Sequence, residues 1–193
     1  MRRFLGNIFS CCFSLIKFSI LKLFCWKSFF FYWIERFSPN VSVKVGKKST
    51  LMFGKRVRVH SNSKIISTAG GCLRIEDDCK FNYGCMVVSR QMIHIKKGVE
   101  FGPNVIIYDH DHDFRAKGGL KAGAFKCAPV VIGENCWIGA NTIILKGTTI
   151  GDNCVVGAGC VVSGNIPPNT VLVQKRENTL IPIDLEEIAN AVE

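Results

Sequence analysis

Residues 132–167 read IGENCWIGANTIILKGTTIGDNCVVGAGCVVSGNIP, and their period decides the fold. Ile132, Ile138, Ile144, Ile150, Val156 and Val162 recur every six residues without a slip. Gly133, Gly139, Gly151 and Gly157 follow four of these anchors. Four places after each anchor stands a small or compact residue: Cys136, Thr142, Thr148, Cys154, Cys160 and Ile166. A period of six matches neither the 3.6-residue turn of a helix nor the wider, irregular turn spacing of a hairpin meander. It suits short strands joined by tight corners, with alternate residues pointing inward and glycine accepting corner dihedrals that a Cβ resists. Units of this kind bury their inner faces only against the units above and below, which makes a β-solenoid.

Upstream, Val41, Val43 and Val45 alternate after Pro39. Anchors are expected at Val45, Leu51 and Val57, then at Ile75, Phe81 and Val87, then at Ile95, Phe101 and Ile107, with residues 61–71 irregular. Val57 and Ile75 stand eighteen apart, three hexads, as a triangular coil returning to one face requires. Ile107 and Ile132 stand twenty-five apart, which six does not divide, so residues 108–131 form an excursion. That excursion, YDHDHDFRAKGGLKAGAFKCAPVV, is charged, glycine-bearing and home to two of the four histidines. A polar loop leaving a rigid scaffold is where chemistry concentrates.

The expected organisation is an apolar, basic helical segment over residues 1–37, a solenoid over 38–173, and a tail over 174–193 ending in a short helix N-capped by Asp184. The formal net charge of +10 asks for anionic partners. Half of it lies in residues 1–37, together with twelve of the twenty Phe, Trp and Tyr residues, which argues for a membrane surface more than for nucleic acid. The longest uncharged run there, residues 4–16, is shorter than a membrane span, and Lys17, Lys22 and Lys27 step by five around a helix instead of forming one polar face. No small-residue cleavage site of a signal peptide follows. Two readings stay open: an interfacial helix with snorkelling lysines, and a helix capping the open end of the solenoid. Among the ten cysteines no CxxC pair occurs, and Cys79, Cys85, Cys136, Cys154 and Cys160 take the small inward position of a hexad. They read as compact apolar filler in a reducing, cytoplasmic setting.

The run Ile132-Gly133 with Asn135-Cys136-Trp137-Ile138-Gly139-Ala140, the run Lys146-Gly147-Thr148-Thr149-Ile150-Gly151-Asp152-Asn153, and Ile166-Pro167-Pro168-Asn169 together resemble the hexapeptide-repeat acyltransferases. The likeness is to the sugar O-acetyltransferases of the galactoside, maltose and colanic-acid type, and it covers about residues 41–172. It implies an all-β, left-handed parallel β-helix, an exception to the right-handed crossover rule. It also implies a homotrimer with its sites between subunits, acetyl-CoA as donor, and a sugar acceptor, as in surface-polysaccharide synthesis. The enzyme would then be cytoplasmic or peripheral on the inner face of the membrane. A sugar hydroxyl needs a base to take its proton as it attacks the thioester. Setting Ile107 on the anchor before the excursion puts the family histidine on His112, followed by Asp113-Phe114, with His110 the near alternative in the same Asp-His-Asp-His-Asp run. The alternating aspartates would orient an imidazole, and Asp109 would contact the acceptor. A solvated charged turn or a metal-binding tract is the bland alternative for this run.

Asn82 matches the family's acceptor-contacting asparagine, although a corner position favours asparagine for backbone reasons alone. For the donor, Ala140 and Ala158 match positions along the pantetheine arm, with Trp137 as groove wall or, alternatively, as core packing between coils. The family's Thr-Lys pair before Pro-Pro is Ser163-Gly164 here, so the nucleotide phosphates would fall to Lys146, Lys175 or Arg176. Other readings share the solenoid: N-acetylation of an amino sugar, a serine acetyltransferase-like activity, or a zinc carbonic anhydrase, whose wider histidine spacing is missing. No metal is expected.

Overall fold

The computed structural model describes residues 2–175, 177 and 179, so Arg176 and the expected helix after Asp184 lie outside the described residues. Three parallel sheets of seven, seven and six strands close a triangular left-handed solenoid. Each coil contributes one strand to each face, as in Met92–Ile95 on the first, Glu100–Phe101 on the second and Ile106–Tyr108 on the third. The inward column of the first face runs Phe53, Ile75, Ile95, Ile132, Ile150 and Ile166, each in register with the next. Cys79, Cys85, Cys136, Cys154 and Cys160 are buried free thiols at the inner corners. Burial pushes the Cys79 thiol up to about 12 and that of Cys85 up to about 11, so both act as apolar filler.

The late hexads are as regular as the sequence indicates; the early ones are not, for a physical reason. Strands on the first and third faces of the early coils have four residues, as in Thr50–Phe53 and Lys64–Ser67, against two in Thr149–Ile150 and Val161–Val162. Adding two residues preserves the inward parity of a strand while lengthening the coil. The expected anchors Val45, Leu51 and Val57 are therefore out of register. Leu51 pairs with Leu73, not Ile75, and the partner of Phe81 is Val59, two residues after Val57. Residues 61–71 contain the regular strand Lys64–Ser67. Near the other end the coil shortens, so Ile166 is an anchor paired with Ile150 and not a small corner residue.

The repeat glycines also serve differently from expectation. Positive φ belongs to Asn135, Asn141 and Asn153, at +54° to +57°, while Gly133 and Gly139 keep ordinary dihedrals. A Cβ on Gly139 would stand 2.5 Å from the Ala158 nitrogen of the next coil, so glycine is required for coils to stack closely.

At the N-terminal end, α1 (Arg2–Phe24) is shorter than the expected segment, and residues 25–37 already form the first coil through Phe29–Phe30 and Arg36–Phe37. These strands pair with Thr50–Phe53 and Arg58–Val59. Phe18 of α1 is fully buried and closes the end, packing edge-on against Phe29, Phe31 and Phe37 and stacking on Phe53 at 5.6 Å. Ser14 accepts the Phe37 N–H at 2.9 Å, and the Lys17 ammonium donates to the Val41 carbonyl. The capping geometry is thus present, with α1 covering polar edge groups that would otherwise be exposed.

Candidate active site

The excursion leaves the third face after Ile106–Tyr108 as an antiparallel pair, His110–His112 against Phe125–Cys127, with a single 3₁₀ turn, Gly119–Ala122, at its tip. Asp109 precedes it and is fully buried. It sits at the inner corner next to Ser89, one coil beyond the equally buried Ser67, which is paired with Ser89. Buried there, its carboxylate is saturated with donors. The Ser89 hydroxyl donates at 2.9 Å, the Arg90 N–H at 2.8 Å, the Gln91 N–H at 2.9 Å, and His110 Nδ1 at 2.9 Å. A carboxylate is acceptor-only, so the Nδ1–H tautomer of His110 is fixed and Nε2 is left as an acceptor. The His110 side chain is only 10% exposed, with Tyr108 edge-on at 5.4 Å and Phe125 at 5.5 Å.

His112 differs. It is exposed and lies against the Phe125 ring at 4.4 Å, and no carboxylate orients it among the described residues. The other face of the site is built by Arg90, whose guanidinium lies 3.6 Å from the Phe125 centroid. Lys126 pairs with Asp113 at 3.2 Å, and Lys146 with Asp111, which tethers the hairpin to the following coil. Cys127 stands opposite His110 in the pairing; burial first and Asp109 second hold its thiol above the ordinary value. The sequence reading had not singled out Ser89, Arg90 or Gln91. Two serines and an aspartate recurring at one inward corner were the available signal.

The remaining site residues divide between two corners of the prism. Asn82, Ala140 and Ala158 follow the second-face strands Lys80–Phe81, Trp137–Ile138 and Val155–Val156. Asp109, His110, Lys146 and the exposed Ser163 follow third-face strands, at the next corner. Within one chain a whole third-face strand such as Ile106–Tyr108 separates the two corners, about 10 Å for three residues. Asn82 accepts the Tyr83 N–H at 2.9 Å through Oδ1, as the backbone account of a corner asparagine requires, and leaves its amide N–H₂ free of any partner among the described residues. Trp137 is 58% exposed on the outer side of the second face, beside a shallow hollow shared with Gly98, Glu100 and Asn135, so it is not core. Lys175 is exposed. Among the described residues no group of three or more His, Cys, Asp or Glu side chains is gathered as a metal ligand set.

The family model for the hexapeptide repeat of succinyl-transferase matches residues 129–163. The solenoid is a hexapeptide-repeat β-helix. Among curated relatives of this hexapeptide-repeat chain, nodulation protein L of Rhizobium leguminosarum is 44% identical over 125 residues, 61% of this chain and 63% of its own length. The galactoside O-acetyltransferase of Escherichia coli is 37% identical over 94 residues, 47% of this chain and 44% of its own. The hexapeptide-repeat chain thus spans less than two thirds of either relative. Among solved structures, a mutant of AntD, an N-acyltransferase from Bacillus cereus in complex with dTDP-4-amino-4,6-dideoxyglucose and coenzyme A, superposes with a TM-score of 0.61. That match covers 90% of this chain and 94% of the other at 18% identity, a likeness of fold.

Proposed function

We propose that this chain transfers an acetyl group from acetyl-CoA to a sugar hydroxyl, with His110 as the general base. The observation that carries the reading is the Asp109–His110 pair, in which a buried carboxylate holds Nδ1 and leaves Nε2 as an acceptor. The hydroxyl proton passes to Nε2 while the oxygen bonds to the acetyl carbon. The C–S bond breaks, and the proton moves on to the departing thiolate. Asp109 keeps the ring oriented and stabilises the imidazolium without taking the proton, because its lone pairs are already engaged. His112, the first choice on sequence, becomes a wall of the acceptor pocket through its contact with Phe125. The corner column of Ala140 and Ala158 leaves backbone accessible to a thin pantetheine arm, and Lys146 or Lys175 would meet the nucleotide phosphates.

The resemblance to galactoside- and colanic-acid-type enzymes supports a saccharide acceptor, such as a unit of a surface polysaccharide. The separation of Asn82 and Ala140 from His110 supports a homotrimer in which adjacent chains bring the two corners together. Incubating the protein with acetyl-CoA and a panel of free, nucleotide-linked and lipid-linked sugars tests the reading. Free thiol should be released with an alkali-labile ester as product. Turnover confined to amino sugars with an alkali-stable amide would replace O-acylation by N-acylation.

A further inference from the structure

We infer that the N-terminal end of the solenoid is a docking surface for an anionic lipid bilayer, with the outer face of α1 and the exposed Trp33 of the first coil lying among the headgroups. The first observation is that α1 is apolar on both faces. Its inner face, Ser14, Phe18 and Leu21, is spent on closing the coil. Its outer face presents Phe9, Ile16, Ile20, Leu23 and Phe24, the last 82% exposed, and Trp33 of the first coil, which α1 caps, is 80% exposed. A helix apolar all round belongs in contact with lipid or protein. No helix among the described residues is long and apolar enough to cross a membrane, so α1 would lie along the interface.

The second observation is charge, and it selects the partner. Residues 1–75 contain fourteen Lys and Arg and one acid, Glu35; residues 76–193 contain eleven Lys and Arg and fourteen acids. The whole excess of positive charge therefore sits at the capped end. Glu35 does not offset it. Its side chain is buried, and burial outweighs the backbone groups of Val57 and Tyr32 that face the carboxyl and pushes it up to about 9, leaving it neutral at pH 7. Arg56 and Arg74 are compensated by Asp78 and Glu76 of the third coil, while Lys17, Lys22, Lys27 and Arg36 have no acidic partner among the described residues. Adjacent coils stand about 4.8 Å apart, so the first two lie within about one Debye length of a surface touching α1. A second copy docked end to end would oppose two wholly basic surfaces. An anionic bilayer matches both the apolar stripe and its charge.

The inference is independent of acetyl transfer, since binding is read without turnover. The full chain is sedimented with vesicles of phosphatidylcholine alone and of phosphatidylcholine with phosphatidylglycerol. It should partition at least tenfold more strongly to the anionic vesicles, and less so as salt is raised. Leu23→Glu and Trp33→Glu, both at exposed positions, should each lower that partition about tenfold with unchanged circular dichroism. Equal binding by the variants, or no binding by the parent chain, would overturn the inference. So would a glutamate variant that alters the oligomeric mass in light scattering while vesicle binding persists, because a second copy would then cover the stripe.

Discussion

At the residue scale His110 is proposed as the base over His112, and the ground for that choice lies one position upstream. His110 and His112 have the same parity in one strand, so a period-two pattern does not distinguish them. What separates them is Asp109, buried beside Ser89 with four donors converging on its carboxylate. That convergence depends on coils stacking, which a linear reading of the Asp-His-Asp-His-Asp run does not contain. The expected outcome of His110→Ala is a fall in kcat of about a hundredfold or more, the scale for loss of a general base. His112→Ala should change KM more than kcat, as loss of a pocket wall does. If the two effects are exchanged, His112 is the base. Asp109→Asn keeps the volume but turns an N–H₂ toward existing donors. It should lower kcat at least tenfold and cost about 1–3 kcal/mol of stability, measured by urea unfolding, because buried partners are left unpaired.

At the element scale α1 and the first coil behave as one unit, held by the cluster around Phe18. Phe18→Ala should destabilise by about 3–5 kcal/mol, seen as a lower melting temperature, since the ring fills the end of the solenoid. Glu35 adds a pH dependence with a definite sign. Its carboxyl, raised from 4.5 to about 9, is protonated in the fold, so its contribution is fully present below about pH 4.5 and is lost as pH rises toward 9. Between pH 5 and 8.5 the melting temperature should fall, and Glu35→Gln, neutral throughout, should flatten the slope. At pH 7 the gain in stability from this change should be about 3 kcal/mol, on about 1.4 kcal/mol per pKa unit. The strands themselves were legible where the coil has two-residue strands, after Ile132. In the early coils, four-residue strands such as Thr50–Phe53 put two inward residues on one face, Leu51 and Phe53. Either serves as an anchor in a hexad count, and only the pairing partner tells which matches Ile75. The helix was legible as an apolar segment, but its end at Phe24 was not, because the aromatics continue unbroken into the first coil.

At the scale of the whole molecule, the triangular cross-section sets the proposed site residues on two different corners. Asn82 and Ala140 stand at one corner and His110 at the next, about 10 Å away along the three-residue strand Ile106–Tyr108. Three chains packed around an axis parallel to the solenoid would bring the first corner of each against the second corner of its neighbour, a heterologous contact that closes into a ring. Light scattering of the parent chain should give the mass of a trimer, and an active monomer would remove the reason for it. A sharper test uses two crippled chains. His110→Ala and Asn82→Ala should each reduce turnover at least tenfold when alone. Co-expressed in equal amounts, they form rings in which a mixed trimer has one interface joining an intact His110 to an intact Asn82. Random assembly makes about three quarters of the rings mixed, each with one working site in three, so roughly a quarter of the parent activity should return. A site built within a single chain would return none of it, since every chain in the mixture carries one of the two lesions.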